Sequence, residues 1–337
     1  MILIGLFFYN KLSNENFEYK QSDEIKSLNN KIGIIEKNTK KIENELKKKL
    51  IEKVKKINFF TLNLLRNDLS LLQVGDNDSG CFIPFSLFSN NLEKKNLHNI
   101  LNEKNNESCL FLNILPNNIK KFNSKFFKNK NERILSEILS SLKSEQKKMF
   151  FFDFKKNIDI SNLEVNFFKD FGLYNFKCSY FSLSVICRNN YNFFNSGHIH
   201  DDNLAIDLVI NKKSIITDPG SFCYSHDLDK RKLYRSAAAH FIPRGKNYTG
   251  AVFSKTNSFY IDSMKLSKCI NIKQNQFIGK ISNIKGDIYR KIDIRKNGIQ
   301  VLDFITKGEL NNYEIVKNNI KISSSFGVLS KKKAFNI

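Results

Sequence analysis

The residues able to do chemistry are concentrated in one stretch of this chain. It holds five histidines, and four of them lie between positions 198 and 240. His198 and His200 stand two apart in Gly197-His-Ile-His-Asp-Asp-Asn-Leu204. On a strand, that spacing projects both rings to the same face. Downstream comes Thr217-Asp218-Pro219-Gly220, a carboxylate at an expected strand end before a turn, and then His240 in Tyr234-Arg-Ser-Ala-Ala-Ala-His240. Two imidazoles and a carboxylate on neighbouring strands make a zinc set, with the fourth position left to water or another group. The same residues could instead form a hydrogen-bonded His–Asp network that holds strands together without metal.

The elements that must position these residues follow from periodicity. From Ser22 to about Ile57 apolar residues recur at Ile25, Leu28, Ile32, Ile35, Ile42, Leu46, Leu50 and Val54. Steps of three, four and seven mark an amphipathic helix, or two helices broken near Gly33. Asn38–Lys41 interrupts any heptad repeat, so a core-facing helix is expected rather than a coiled coil. A second helical run covers about Asn131 to Lys148. Between the two, Gly75-Asp-Asn-Asp-Ser-Gly80 reads as a structural turn, since it lacks the spacing and terminal Glu of a calcium loop. From about Phe167 the period changes to two, in runs such as Tyr180–Ile186, Leu204–Ile210, Ser214–Thr217, Gln276–Ile281 and Ile299–Ile305, with a hairpin signal at Lys296-Asn-Gly298. Helices first and antiparallel strands after predict an α+β arrangement, helical over residues 1–165 and β over 166–337.

Composition sets the outer limits. A chain of 337 residues with 41% hydrophobic and 26% charged residues is globular, which excludes collagen-like and wholly disordered classes. Lys+Arg 55 against Asp+Glu 33 leaves a net charge of +22. Such a surface attracts polyanions, although the Lys, Asn and Ile excess also fits the codon usage of an AT-rich genome. No RNA-binding signature or zinc-finger spacing supports nucleic acid as the partner. The six cysteines are scattered, with no C-x-x-C pair, and read as small buried apolar residues. The apolar run Met1 to Tyr9 falls short of the roughly 20 residues a transmembrane helix needs, and it lacks the basic start and cleavage site of an export signal.

The histidine block carries a resemblance. Gly-His-x-His-x-Asp-x-Leu, then Asp-Pro-Gly with Tyr224, then Arg231-x-x-x-Arg235-Ser-x-x-x-His240, resembles the C-terminal domain of heparinase II/III-like polysaccharide lyases. Gly75–Gly80, Asp170-Phe-Gly-Leu-Tyr174 and Ile322-Ser-Ser-Ser-Phe-Gly327 are similar to further segments of that family. The resemblance implies the C-terminal remnant of an (α/α) toroid followed by an antiparallel β-sandwich. It implies β-elimination on uronate-containing acidic polysaccharides, in the periplasm or cell envelope. It also implies a structural zinc on His200, Asp218 and His240, with His198 facing the substrate. Tyr9-Asn-Lys-Leu-Ser-Asn-Glu15 is similar to the family's Tyr-His-Arg-Leu-Ser-x-Glu segment, which makes Tyr9 the matching acid/base. Asn10, Ala237 and Phe241 depart from the family's usual His, Thr and Asn. His226 matches no family position and is expected on an exposed loop. The short helical part makes the chain resemble the C-terminal portion of a longer lyase or a shortened member. The alternative expectation is a non-catalytic, zinc-stabilised, glycan-binding remnant.

Overall fold

The computed structural model describes residues 18–68, 70–76, 130–189, 197–246, 248, 250–254, 257, 259–311, 320–325 and 327–336. The described residues divide into two compact units, one up to Phe60 and the other from Thr61 onward. Helix α1, Glu18–Leu64, is continuous. It runs through Gly33, because a single interior glycine costs only about 1 kcal/mol in a run of strong helix formers. The expectation of a core-facing helix is not met. Leu28, Ile32, Ile35, Ile42, Leu46 and Leu50 are each half or more exposed. Periodicity reports an apolar face, not what covers it. No helix among the described residues is long and apolar enough to cross a membrane.

The second unit is built on two five-stranded antiparallel sheets. One has the order β1-β12-β11-β10-β9, with β1 Lys147–Asp153, β9 Ser267–Lys273, β10 Gln276–Ile281, β11 Ile288–Arg295 and β12 Gly298–Ile305. The other has the order β2-β3-β4-β5-β6, with β2 Glu164–Phe168, β3 Leu173–Lys177, β4 Phe181–Ile186, β5 Ile206–Ile210 and β6 Lys213–Ile216. The architecture is α+β. Inward residues of both sheets share one core, including Phe152, Phe277 and Ile292 from the first and Phe176, Leu183 and Leu208 from the second. Tyr174 and Phe277 meet across it with ring centroids 5.2 Å apart.

Helix α2, Lys130–Ser141, ends earlier than the expected run to Lys148. Strand β1 begins at Lys147, ahead of the strands expected from Phe167, and pairs along its whole length with β12. Its alternation buries only Phe150 and Phe152, under a lysine-rich start that reads equally well as a helix end. Leu135 of α2 joins Ile278, Tyr289 and Phe304 in a second cluster on the outer side of the first sheet. The described cysteines, at 178, 187, 223 and 269, are free thiols, two buried and two part-buried.

One buried ion pair ties the first sheet to the loops that carry the histidines. Arg290 on β11 bonds both oxygens of Asp303 on β12, at 2.7 and 2.6 Å. Its Nη1 also donates to the carbonyls of Leu204 and Phe241, each at 2.6 Å. Leu204 sits at φ 65 and is fully buried. A Cβ at Gly279 would press on its side chain and on the Phe277 ring, so a larger residue there would force these to shift. Removing one partner of a fully buried pair strands the other charge, at roughly 3–5 kcal/mol. Arg290→Ala is therefore expected to destabilise the β-unit by about that amount in denaturant titrations, and more than the double change Arg290→Met/Asp303→Leu. Equal losses would show that the pair carries no such role.

Candidate metal centre

The segment 200–204 is wholly buried although four of its five residues are polar. Each polar side chain has its own partner. Asp202 is bound by the guanidinium of Arg188, which overcomes burial and holds its carboxyl below the ordinary range. Asp201 accepts from the amide of Ala251 at 2.7 Å and from the Tyr248 hydroxyl at 3.2 Å. Asn203 accepts from the Arg188 amide at 3.0 Å and the Ser267 hydroxyl at 2.8 Å. These bonds fix the backbone from which His200 projects.

His198 and His200 do not lie on a strand, contrary to the sequence expectation; they sit in the irregular segment before β5. What unites them is Asp76. Its Oδ2 accepts from His198 Nδ1 at 3.1 Å and its Oδ1 from His200 Nε2 at 2.9 Å. Arg231 bonds both oxygens, at 2.5 and 2.7 Å. Burial works against the charge on Asp76, yet the bonds from His200 and Arg231 hold its carboxyl far below the ordinary range. Arg231 and Arg235 point inward from helix α3, Leu228–Arg235, whose start is capped by the Asp227 side chain accepting from the Lys230 amide at 3.0 Å. Arg235 donates to the carbonyl of Ile199, between the two histidines, at 3.1 and 2.9 Å. Asp76 reaches this place because Gly75 adopts φ 72. A Cβ on Gly75 would overlap the His198 carbonyl oxygen, which accepts from the Asp76 amide at 3.1 Å.

Three atoms converge on the inner side of His200. Its Nδ1 lies 3.2 Å from His240 Nε2 and 4.0 Å from Asp218 Oδ1. His240 Nε2 lies 3.1 Å from Asp218 Oδ2. Among the described residues this is the one group of His, Cys, Asp and Glu whose ligand atoms all come within 4.8 Å of one another. A tetrahedral ion with ligands at about 2.0–2.1 Å spaces its donors about 3.3 Å apart, so the set fits such an ion. The outer nitrogens fit as well. His200 Nε2 donates to Asp76, and His240 Nδ1 donates to the Ser236 carbonyl at 2.9 Å. Each ring thus turns its remaining nitrogen inward, the carboxylate- or carbonyl-backed arrangement that orients metal-binding imidazoles. Asp218 Oδ1 accepts from the Gly220 amide at 2.8 Å, which fixes the carboxylate.

Without an ion the two buried imidazoles part in charge. Burial lowers the pKa of His200. Burial also opposes charge on His240, but the Asp218 carboxylate, aided by Asp202 and the Ser236 carbonyl, pushes it up to about 9. The proton on His240 Nε2 then bridges to Asp218.

The sequence reading brought together His200, Asp218 and His240, and these meet. His198 stands beside them, 61% exposed, with its Nδ1 on Asp76. His226 is exposed on the segment before α3. Tyr9 lies outside the described residues. Asp76, Arg231 and Arg290 were not assigned roles from sequence. The signals for Asp76 were the glycine before it in an Asp-rich turn and the family-like segment 75–80 that contains it.

Two outcomes follow for metal uptake. Asp76→Asn keeps the shape but weakens the acceptor behind His200, and should lower metal affinity about 10–100-fold, with Gly75→Ala acting in the same direction. Wild-type affinity in both, by competition with a chelating dye, would remove Asp76 from the site. Metal uptake at pH 7 should also release about one proton, from His240, since its raised pKa keeps it protonated until pH rises through about 9. Affinity should therefore climb between pH 7 and 9 and then level. A flat profile, or no proton release in calorimetry across buffers of different ionisation enthalpy, would contradict this.

Comparisons with known proteins bear on the same segment. Residues 162–241 match the family model described as heparinase II/III-like, C-terminal. No curated protein matches the chain. Solved structures that match include a heparinase III gene product, at 16% identity over 41% of this chain and 21% of that one, TM-score 0.32. The heparan sulfate lyase HepC from Pedobacter heparinus matches at 18% identity over 41% and 21%, TM-score 0.32. A mutant of that lyase matches at 14% identity over 72% and 30%, TM-score 0.37. The chain thus spans about a fifth to a third of the length of these structures. The matched segment runs from β2 through His198, His200 and Asp218 to His240, so this part of the chain is similar to the heparinase II/III-like C-terminal domain.

Proposed function

We propose that the chain works as a polysaccharide lyase on uronate-containing acidic glycans, by β-elimination. The observation that carries this reading is one buried carboxylate, Asp76, holding both an inward imidazole of the metal set and the exposed imidazole of His198. Asp76 accepts from His198 Nδ1 and so orients a ring whose side chain is largely exposed. A positioned imidazole open to solvent can serve as proton acceptor beside a substrate.

In the proposed reaction the C5–H bond breaks and the proton passes to a base on the enzyme. The bonding pair forms the C4–C5 double bond, and the C4–O4 bond breaks. O4 leaves with a proton from a general acid. His198 faces C5, and Tyr9 is assigned to the acid/base role by its family-like segment. Cationic groups must offset the uronate carboxylate as charge develops, and the net charge of +22 draws such a polymer to the surface. The helical part is read as part of an (α/α) toroid, and the place of work as the periplasm or cell envelope.

His200, Asp218 and His240 would hold zinc, whose nitrogen and oxygen ligand preference they meet. Bound there, zinc would supply a fixed positive link between the segments carrying the three residues. It would keep His198 in place through the shared Asp76, with no part in bond breaking.

Two measurements test the reading. Purified protein should hold one zinc, retained after dialysis, with a higher melting temperature than the stripped form; Asp218→Ala should lose both. Zinc content unchanged in that variant would refute the assignment. Ultraviolet absorbance of the unsaturated uronate, followed on heparin-like and alginate-like polymers, should reveal turnover. His198→Ala and Tyr9→Phe should each lower kcat/KM by about 10²–10⁴-fold. No turnover on any uronate polymer by the zinc-loaded protein would overturn the lyase reading, and turnover surviving Tyr9→Phe would remove Tyr9 from it.

A further inference from the structure

A second feature of the β-unit lies along strand β6, with no histidine in its lining. Here a groove of about 840 Å³ opens between the β5–β6 hairpin, the segment following α1 and the C-terminal strand region. Four lysines line it: Lys212, Lys213, Lys332 and Lys333, all exposed. The fold forces them together. Asn211 and Lys212 adopt φ 48 and 61, a tight hairpin turn that presents Lys212 and Lys213 at its tip. The C-terminal strand β14, Val328–Lys333, leads into a stretch laid along β6. There the Thr217 amide donates to Ala334 and the Asn336 amide to Ile215, at 2.9 and 2.8 Å. That pairing places Lys333 and Lys332 across from Asp218 and Pro219, and the groove gathers them with the lysines of the hairpin tip.

Like charges gathered in one concavity repel, and the arrangement is relieved by an anion. Among the described residues no carboxylate pairs with these four ammonium groups. The single acid of the groove, Asp68, is already engaged by the Ser70 amide and hydroxyl, at 3.1 and 2.5 Å, and by Arg66 at 3.7 Å. Asn67, Asn336 and Ser179 add amide and hydroxyl groups, and Ile322 adds an apolar patch. No aromatic ring lines the groove. A single-stranded nucleic acid would be met by aromatic stacking platforms. Ammonium groups for acidic substituents, amides for hydroxyls and an aliphatic surface for a ring face suit a sugar.

We propose that this groove is a binding site for an acidic saccharide, distinct from the His198 site. None of Asp76, His198, His200, Asp218 and His240 lines it. Arg66 of its lining donates to Ser214 at 2.8 Å and to Thr217, next to Asp218, at 3.1 Å. The inference rests on the reading of the chain as acting on acidic glycans, and it adds a second place where such a chain is held.

The test uses the full chain and labelled heparin and polymannuronate hexasaccharides, followed by fluorescence anisotropy at physiological salt. The controls are a neutral dextran hexasaccharide and single-stranded DNA of equal charge. K212A/K213A/K332A/K333A should weaken binding of an acidic hexasaccharide by about tenfold or more and flatten its salt dependence. Its melting temperature and metal content should match wild type, since all four side chains are exposed. Unchanged affinity in the quadruple variant overturns the proposal. So does DNA that binds as tightly and is lost to the same degree, or dextran that binds equally well. Uronate turnover with unchanged affinity in the quadruple variant sinks the groove alone. Binding through the lysines without any turnover sinks the catalytic reading alone.

Discussion

A carboxylate taken out of water must be matched by charge or by hydrogen bonds, and Asp76 is the place where this chain meets that demand most fully. Its two oxygens receive the Arg231 guanidinium, His200 and His198. Breaking such a network leaves charges buried without partners, which costs several kcal/mol in a low-dielectric interior. The carboxylate therefore acts as a geometric constraint as much as a source of stability. It sets the orientation of both histidine rings. His200 is turned inward toward Asp218 and His240, and His198 is turned outward.

The two sheets exist, for functional purposes, to hold the loops that meet at this carboxylate. The shared apolar core fixes the sheets relative to each other. Arg290 then reaches from one sheet to the carbonyls of Leu204 and Phe241, the residues that flank the histidine segment and His240 on the chain. Arg66 does similar work on the other side, with Asp207 3.2 Å from its Nε and Thr217 on its Nη1. Burial raises the Asp207 carboxyl to about 6 against the pull of Arg66.

Much of the β-unit was legible in the sequence because short runs rich in aromatic and β-branched residues stand between turn signals, as at β4, β5, β10 and β12, although β4 and β5 are buried along their whole length rather than on one face. Strand β1 was not, since its lysine start hides a two-residue period that shows only at Phe150 and Phe152. The helix α1 was legible as an element and illegible as to burial, since an apolar stripe is the same sequence whether covered or bare. At the site, His200, Asp218 and His240 could be grouped because imidazole and carboxylate are scarce and their spacing is informative. Asp76 could not, because carboxylates are common and its partner histidines lie more than a hundred residues away. Gly75, required by a positive φ and a close approach to the His198 carbonyl, and the family-like segment 75–80 left a trace.

The central claim is that His200, Asp218 and His240 form one metal centre whose orientation is set from outside by Asp76. X-ray absorption at the zinc edge of the loaded protein addresses it most directly. The account predicts a shell of nitrogen and oxygen alone at about 2.0–2.1 Å, with the outer-shell scattering of two imidazoles. A sulfur shell near 2.3 Å, or an oxygen-only shell without imidazole scattering, would contradict it.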